Sequence, residues 1–270
     1  MTKISGWNWH RFFKLTGLNL RVDKTYIGIR AFVLCALTFV VLTLLAPGSS
    51  EDNGIAALKM TGFLFVVGFA DLLAICLGVM YAARAFQAFK QRETGWLAVL
   101  LPASKAEKYF SALLLHAIVV PTLYLLVFAI PALGVIMMND HISFDVFNDL
   151  MTMIPEDISV ALREARLYGL YGAGIVLSWY SSYILFFLGS ILNPKHPLLL
   201  GVVISIVLRI LSNGIMKYQM ADVDLSQVTD IQEVIGPLKL MGAVGIGYEI
   251  VCILIMLAVG WWFYNRRTVI

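Results

Sequence analysis

Six long apolar stretches divide this chain, and basic residues gather on alternate sides of them. A helix needs about 20 apolar residues to cross roughly 30 Å of hydrocarbon. Stretches of that kind cover Tyr26–Ala46, Ile55–Ala83, Phe110–Met138, Leu167–Leu192, Pro197–Ile215 and Leu238–Tyr264. Of the 270 residues, 60% are hydrophobic and 14% charged, with a mean hydropathy of +0.84. Soluble domains carry about 25% charged residues, so an ordinary globule is excluded. Little chain is left over for a separate soluble domain.

The net charge of +3 says less than its distribution. Lys3, Arg11, Lys14, Arg21, Lys24 and Arg30 precede or open the first stretch, and Arg84, Lys90, Arg92, Lys105 and Lys108 lie between the second and third. Lys195 falls between the fourth and fifth, and Arg266 and Arg267 follow the sixth. The intervening connections hold only Arg163, Arg166 and Lys217 against acids such as Glu51, Asp140 and Asp230. Basic residues favour the cytoplasmic side, so both termini are expected in the cytoplasm. Because these cations sit beside membrane ends, nucleic acid is a poor partner for them. The bilayer is the expected surrounding. Cys35, Cys76 and Cys252 all lie within spans, and neither a disulfide framework nor a metal set is expected from them.

Trp7, Trp9, Phe12, Phe13, Leu15 and Leu18 interleave with His10, Arg11 and Lys14 at helical spacing. Residues 1–25 are therefore expected to form an interfacial helix in the cytoplasmic headgroup layer, ahead of a six-helix transmembrane domain over 26–270. The expected fold is all-α, integral to the membrane, with six transmembrane helices. Phe144, Phe147, Leu150 and Ile154 predict an outer helix in the third connection. Thr229-Asp230-Ile231-Gln232 is a candidate capping box for a short external helix before the sixth span. The turn Asn193-Pro194-Lys195-His196-Pro197 is tight, making the fourth and fifth spans antiparallel neighbours. Gly174, Ser178 and Ser182, and again Ala243 and Gly247, place small residues on one helix face, as close packing requires. Pro121 and Pro131 are expected to kink the third span.

The connection between the second and third stretches is the most informative local sequence. It runs Glu93-Thr94-Gly95, then the apolar Trp96-Leu97-Ala98-Val99-Leu100-Leu101, then Pro102. Pro102 cannot continue a helix from before it. Ser104 followed by Glu107 predicts a capping box that opens a new helix. The expected form is two protruding helices joined by a short, partly apolar cytoplasmic element. Physics alone allows that element to rest on the membrane or to dock into another protein.

These residues, Glu93-Thr94-Gly95 and Leu101-Pro102-Ala103-Ser104-Lys105-Ala106-Glu107-Lys108, resemble the first cytoplasmic loop of type 2 ABC transporter permeases. The wider plan is similar too, with an interfacial helix, six spans and both termini inside. The resemblance implies that Glu93, Trp96, Leu97, Leu100, Leu101, Pro102, Ser104 and Glu107 form the coupling element. In such a permease the apolar part sits in a groove of a separate ABC ATPase subunit. It further implies a second permease copy or a paralogue, export as the direction, and a bacterial cytoplasmic membrane. The chain has no Gly-x-x-x-x-Gly-Lys-Ser/Thr phosphate loop. No cofactor is expected in the chain itself, and ATP would be bound by the partner subunit.

Asp71, Arg209 and Glu249 lie within spans, where charge is expensive and marks functional candidates. Arg209 and Glu249 fall at similar depth on successive antiparallel spans, open to an ion pair or to a substrate path. Two other function classes share the architecture. A non-transporting scaffold or sensor subunit predicts no ATP-dependent movement of a substrate. An intramembrane enzyme would want His-Glu-x-x-His or paired carboxylates; the first is absent, and Asp71 with Glu249 is a weak substitute for the second. Catalysis by this chain is not expected.

Overall fold

The computed structural model describes residues 7–46, 53–86, 103–138, 167–220 and 231–267. Every regular element among them is a helix. In chain order these are α1 (Trp9–Leu45), α2 (Asn53–Ala82), α3 (Lys105–Leu113), a π-helical segment (Leu114–Val119), α4 (Val120–Met138), α5 (Leu167–Leu192), α6 (Pro197–Met220) and α7 (Ile231–Arg267). Six helical stretches, with α3, the π segment and α4 counted as one, are long and apolar enough to cross a membrane. Their outer surfaces agree: Phe32, Phe65 and Met137 are each at least 74% exposed. Soluble monomers rarely leave apolar patches of that extent open. The chain has the architecture of a multi-pass helical membrane protein.

Two ends differ from expectation. Residues 9–25 do not form a helix separate from the first span. They continue into it as one helix of 37 residues, closed at its start by Asn8, whose side chain accepts from the amides of His10 and Arg11. Hydropathy drops near Lys24, but nothing there stops a helix: no proline and no competing cap interrupts the ladder. At about 1.5 Å per residue such a helix is roughly 55 Å long, well beyond the hydrocarbon thickness. Likewise, among the described residues, the sixth span has no separate short helix at its start: α7 runs unbroken from Ile231 to Arg267. Its candidate cap, Thr229 and Asp230, lies outside the described residues, as does the outer helix expected near Phe144.

The core is built around α5, whose inner half is closed on all sides. Tyr183 to Ile191 are buried in an unbroken run, as a helix surrounded by other helices requires. It packs on α2, α6, α7 and the π segment. The tight turn at Asn193 brings α6 back against it, as the sequence predicts. Gly201 makes that approach possible, since a Cβ there would collide with the Phe186 ring. Gly201→Val is expected to cost about 2 kcal/mol through overpacking. Gly28→Ala, in open space inside α1, is the control without overpacking and is expected to stabilise slightly, by about 0.5 kcal/mol, through helix propensity. Thermal unfolding in detergent checks both, and an unchanged midpoint for Gly201→Val would contradict the packing.

The other stripes fare unequally. Gly174 touches Ile246 at 3.9 Å from its would-be Cβ, so that face is used. Ala243 and Gly247 are exposed, and Gly247 meets nothing within 4 Å; among the described residues this pair makes no close helix contact. The third span departs from α-helical register before Pro121. Over Leu114–Val119 the bonds widen to a π pattern, with the Val120 amide donating to the Leu115 carbonyl. A proline lacks the N–H that a regular ladder needs, and the widened turn lies directly before it. Pro131 sits inside α4 without ending it.

Candidate functional site

The capping box read from Ser104 and Glu107 forms in both directions. The Glu107 amide donates to Ser104 Oγ at 3.2 Å, and the Ser104 amide donates to Glu107 Oε2 at 2.7 Å. The other carboxylate oxygen leaves the helix it caps. Glu107 Oε1 accepts from the Asn8 amide at 2.7 Å and from Arg11 Nη2 at 3.1 Å. One fully buried carboxylate thus joins the start of α3 to the start of α1. Buried charge persists only when paired and hydrogen-bonded, and here both oxygens are engaged. Thr16 Oγ1 donates to Ser111 Oγ at 3.0 Å, a second tie between the same helices one to two turns further on.

The opposite face of α3 reaches α5 and α7 through Tyr109. Its ring lies 5.8 Å from Phe187, 5.4 Å from Trp261 and 5.5 Å from Tyr264, measured between centroids. Its hydroxyl donates to the Leu257 carbonyl at 3.2 Å. Gly260 lets α7 come this close, since a Cβ there would stand 2.8 Å from that hydroxyl. Lys105 Nζ adds a bond to the Asn265 carbonyl at 3.3 Å. The nine-residue α3 is therefore fixed to three long helices at once.

Beside this junction lies a polar cluster that periodicity and motifs did not single out. Asp23 Oδ2 accepts from the Tyr81 hydroxyl at 2.7 Å and faces His116 Nε2 at 3.9 Å. The imidazole stacks on the Tyr81 ring, with centroids 4.6 Å apart and an angle of 13°. His116 Nδ1 lies 3.1 Å from the Ala112 carbonyl, an obligate acceptor, so Nδ1 carries the proton. These residues lie far apart in sequence, on α1, α2 and the π segment.

Deeper in the helix bundle, Arg209 and Glu249 line one polar pocket of about 90 Å³ with Ser178, Ser182, Ser212 and Tyr248. They share this pocket, but no ion pair joins them among the described residues. Tyr248 instead donates to the Leu208 carbonyl at 2.8 Å. Asp71 is half-buried on α2 and joins neither cluster. Of the coupling residues expected from the sequence, Ser104 and Glu107 are placed as described. Glu93, Trp96, Leu97, Leu100, Leu101 and Pro102 lie outside the described residues. No family model, no curated protein and no solved structure matches the chain.

Proposed function

We propose that the chain is the membrane-spanning subunit of an ABC-type exporter, worked by a separate ATPase that grips the segment between α2 and α3. Both termini and that segment are placed in the cytoplasm by the distribution of Lys and Arg, and a bacterial cytoplasmic membrane is the setting. The subunit works alongside a second permease copy or a paralogue. Resemblance of the Glu93–Lys108 sequence to the permease coupling loop motivates this reading.

The observation that carries the mechanism is the shared carboxylate of Glu107. In this reading ATP closes two ATPase subunits together and displaces the apolar segment ahead of Pro102. Because Ser104 and Glu107 lock the start of α3, that displacement moves α3 as a unit. The Asn8 and Arg11 bonds carry it to α1, and Tyr109 carries it to α5 and α7. A push on one short cytoplasmic element is thereby distributed over three spans. Segment 9–25 is continuous with the first span, so a displacement at Asn8 and Arg11 passes directly along α1.

The test is capture of the tagged full-length chain from its own membranes in mild detergent, with mass spectrometry of the eluate. A near-stoichiometric companion carrying an ATPase phosphate loop is expected. A clean eluate, under conditions that preserve known transporter complexes, would replace this reading with a scaffold or sensor subunit.

A further inference from the structure

A cavity of about 370 Å³ opens between α1, α2, α3 and α7, beside the Glu107 junction. Its polar wall includes Asn19, Tyr26, Arg84 and Lys108, and its apolar wall includes Leu15 and Phe86. Tyr26 organises the cationic side. The Arg30 guanidinium carbon lies 3.7 Å from its ring centroid, and that of Arg84 lies 4.7 Å from the same centroid. Stacking on one ring is favourable for each cation, but it also holds two like charges close together. Asp23 also lines the cavity and keeps its negative charge while accepting from the Tyr81 phenol, one carboxylate against the two guanidiniums and Lys108.

A second observation points the same way. Three polar atoms behind this wall are shut off from solvent and have no hydrogen-bond partner: Arg30 Nη1, the Tyr26 hydroxyl and the Tyr124 hydroxyl; of these three residues, Tyr26 lines the cavity. Tyr26 packs on the buried cluster that holds Tyr81 and Tyr124, which gathers these groups in one place. A guanidinium nitrogen only donates, and a phenol readily does. Buried donors left unmade are costly and rare. What the arrangement lacks is an acceptor with several oxygens and negative charge.

The geometry points to a binding site for a phosphate-ester anion, with Arg84 and Tyr26 in its wall and Arg30 stacked on Tyr26 outside it. Arginine's planar fork suits two phosphate oxygens at once. Lys108 adds positive charge to the wall, and Leu15 and Phe86 offer a surface for an attached apolar group. Two sources share this chemistry. One is the headgroup of an anionic lipid, which basic pockets between helices on the cytoplasmic side bind; the other is a soluble phosphate compound. The inference does not depend on an ATPase partner.

The test measures the unfolding temperature of the full-length protein in detergent against rising concentrations of three probes. These are dioctanoyl phosphatidylglycerol, dioctanoyl phosphatidylcholine and inorganic phosphate. A saturable rise with phosphatidylglycerol, absent with phosphatidylcholine, is expected. A rise confined to the lipid assigns the headgroup as ligand, whereas a matching rise with inorganic phosphate assigns a soluble anion. Arg84→Gln is expected to weaken the apparent affinity roughly tenfold, as loss of a charge-assisted pair does. Tyr26→Phe keeps the ring and both stacked cations, so it tests the hydroxyl without disturbing the fold, with an effect of about threefold. Should Arg84→Gln fail to fold, Arg84→Lys retains the charge and loses only the fork. Arg21→Gln, on the exposed side of α1, is the unaffected control. No saturable response to any probe would overturn the assignment. So would equal responses in wild type, Tyr26→Phe and the Arg84 variant that folds.

Discussion

Glu107→Ala is expected to destabilise the protein by about 3 kcal/mol, the range found when one partner of a buried charged network is removed. The substitution strips the acceptor from the Ser104 amide, the Asn8 amide and Arg11 together. The start of α3 then loses one arm of its capping box and α1 loses its tie to α3, although Asn8 still closes α1 itself. Arg11→Ala should cost less, about 1.5 kcal/mol: it leaves the buried carboxylate without its counter-charge, but both backbone donors stay and the arginine itself is 34% exposed. Ser104→Ala removes only one arm of the box, at about 1 kcal/mol. Thermal unfolding of the purified chain in detergent ranks the three. The order Glu107, then Arg11 and Ser104, follows from the carboxylate's double role. If Glu107→Ala were no worse than Ser104→Ala, Glu107 would be an ordinary capping residue and the tie to α1 would carry no weight.

That double role also marks where sequence reading stops. Ser104 and Glu107 are legible because a capping box is a local event: donor and acceptor lie within one turn, and residue type at fixed spacing decides it. The other half of the same site is non-local. Asn8 and Arg11 reach Glu107 from the far end of the sequence, and only the packing of α1 against α3 brings them there. Asn8 was not singled out in the sequence; it caps α1 with its side chain while its own amide bonds to Glu107 across the fold. The cluster of Asp23, Tyr81 and His116 is further out of reach. A tyrosine and a histidine in apolar stretches give no signal of a shared carboxylate on a third helix.

The spans show a similar division. Their existence follows from hydrophobicity and length, and the described helices cover each of the six stretches. Their ends do not follow, because hydropathy measures where a helix leaves the lipid and not where it ends. α1 and α7 both outrun the hydrocarbon for that reason, and the separate short helices expected beside them merge into the long ones. Small-residue stripes predict close packing only when a neighbour is present. Gly174 has one in Ile246, and Gly247 has none among the described residues. The paired placement of Arg209 and Glu249 was readable from depth and antiparallel order. That they share a serine-lined pocket without an ion pair depends on side-chain directions that sequence spacing does not give.

The largest functional effect is expected from Leu100→Asp with Leu101→Asp. In the proposed reading these leucines enter an apolar groove of the ATPase, so two carboxylates would be taken from water into a contact with nothing to pair them. A single such burial costs several kcal/mol, and each 1.4 kcal/mol is a factor of about ten in binding. ATPase retention should therefore fall well over tenfold in a detergent capture. The unfolding temperature of the permease should hardly move, because on this reading the side chains contribute to the partner contact and not to the helix bundle. Leu100→Met with Leu101→Met conserves volume and apolarity and should keep the ATPase. This pattern is the reverse of Glu107→Ala, which lowers stability first and weakens coupling through it. The two variants together separate a docking surface from the lever behind it. A correctly inserted Leu100→Asp/Leu101→Asp protein that retains its ATPase at the wild-type level would remove the docking role of this segment.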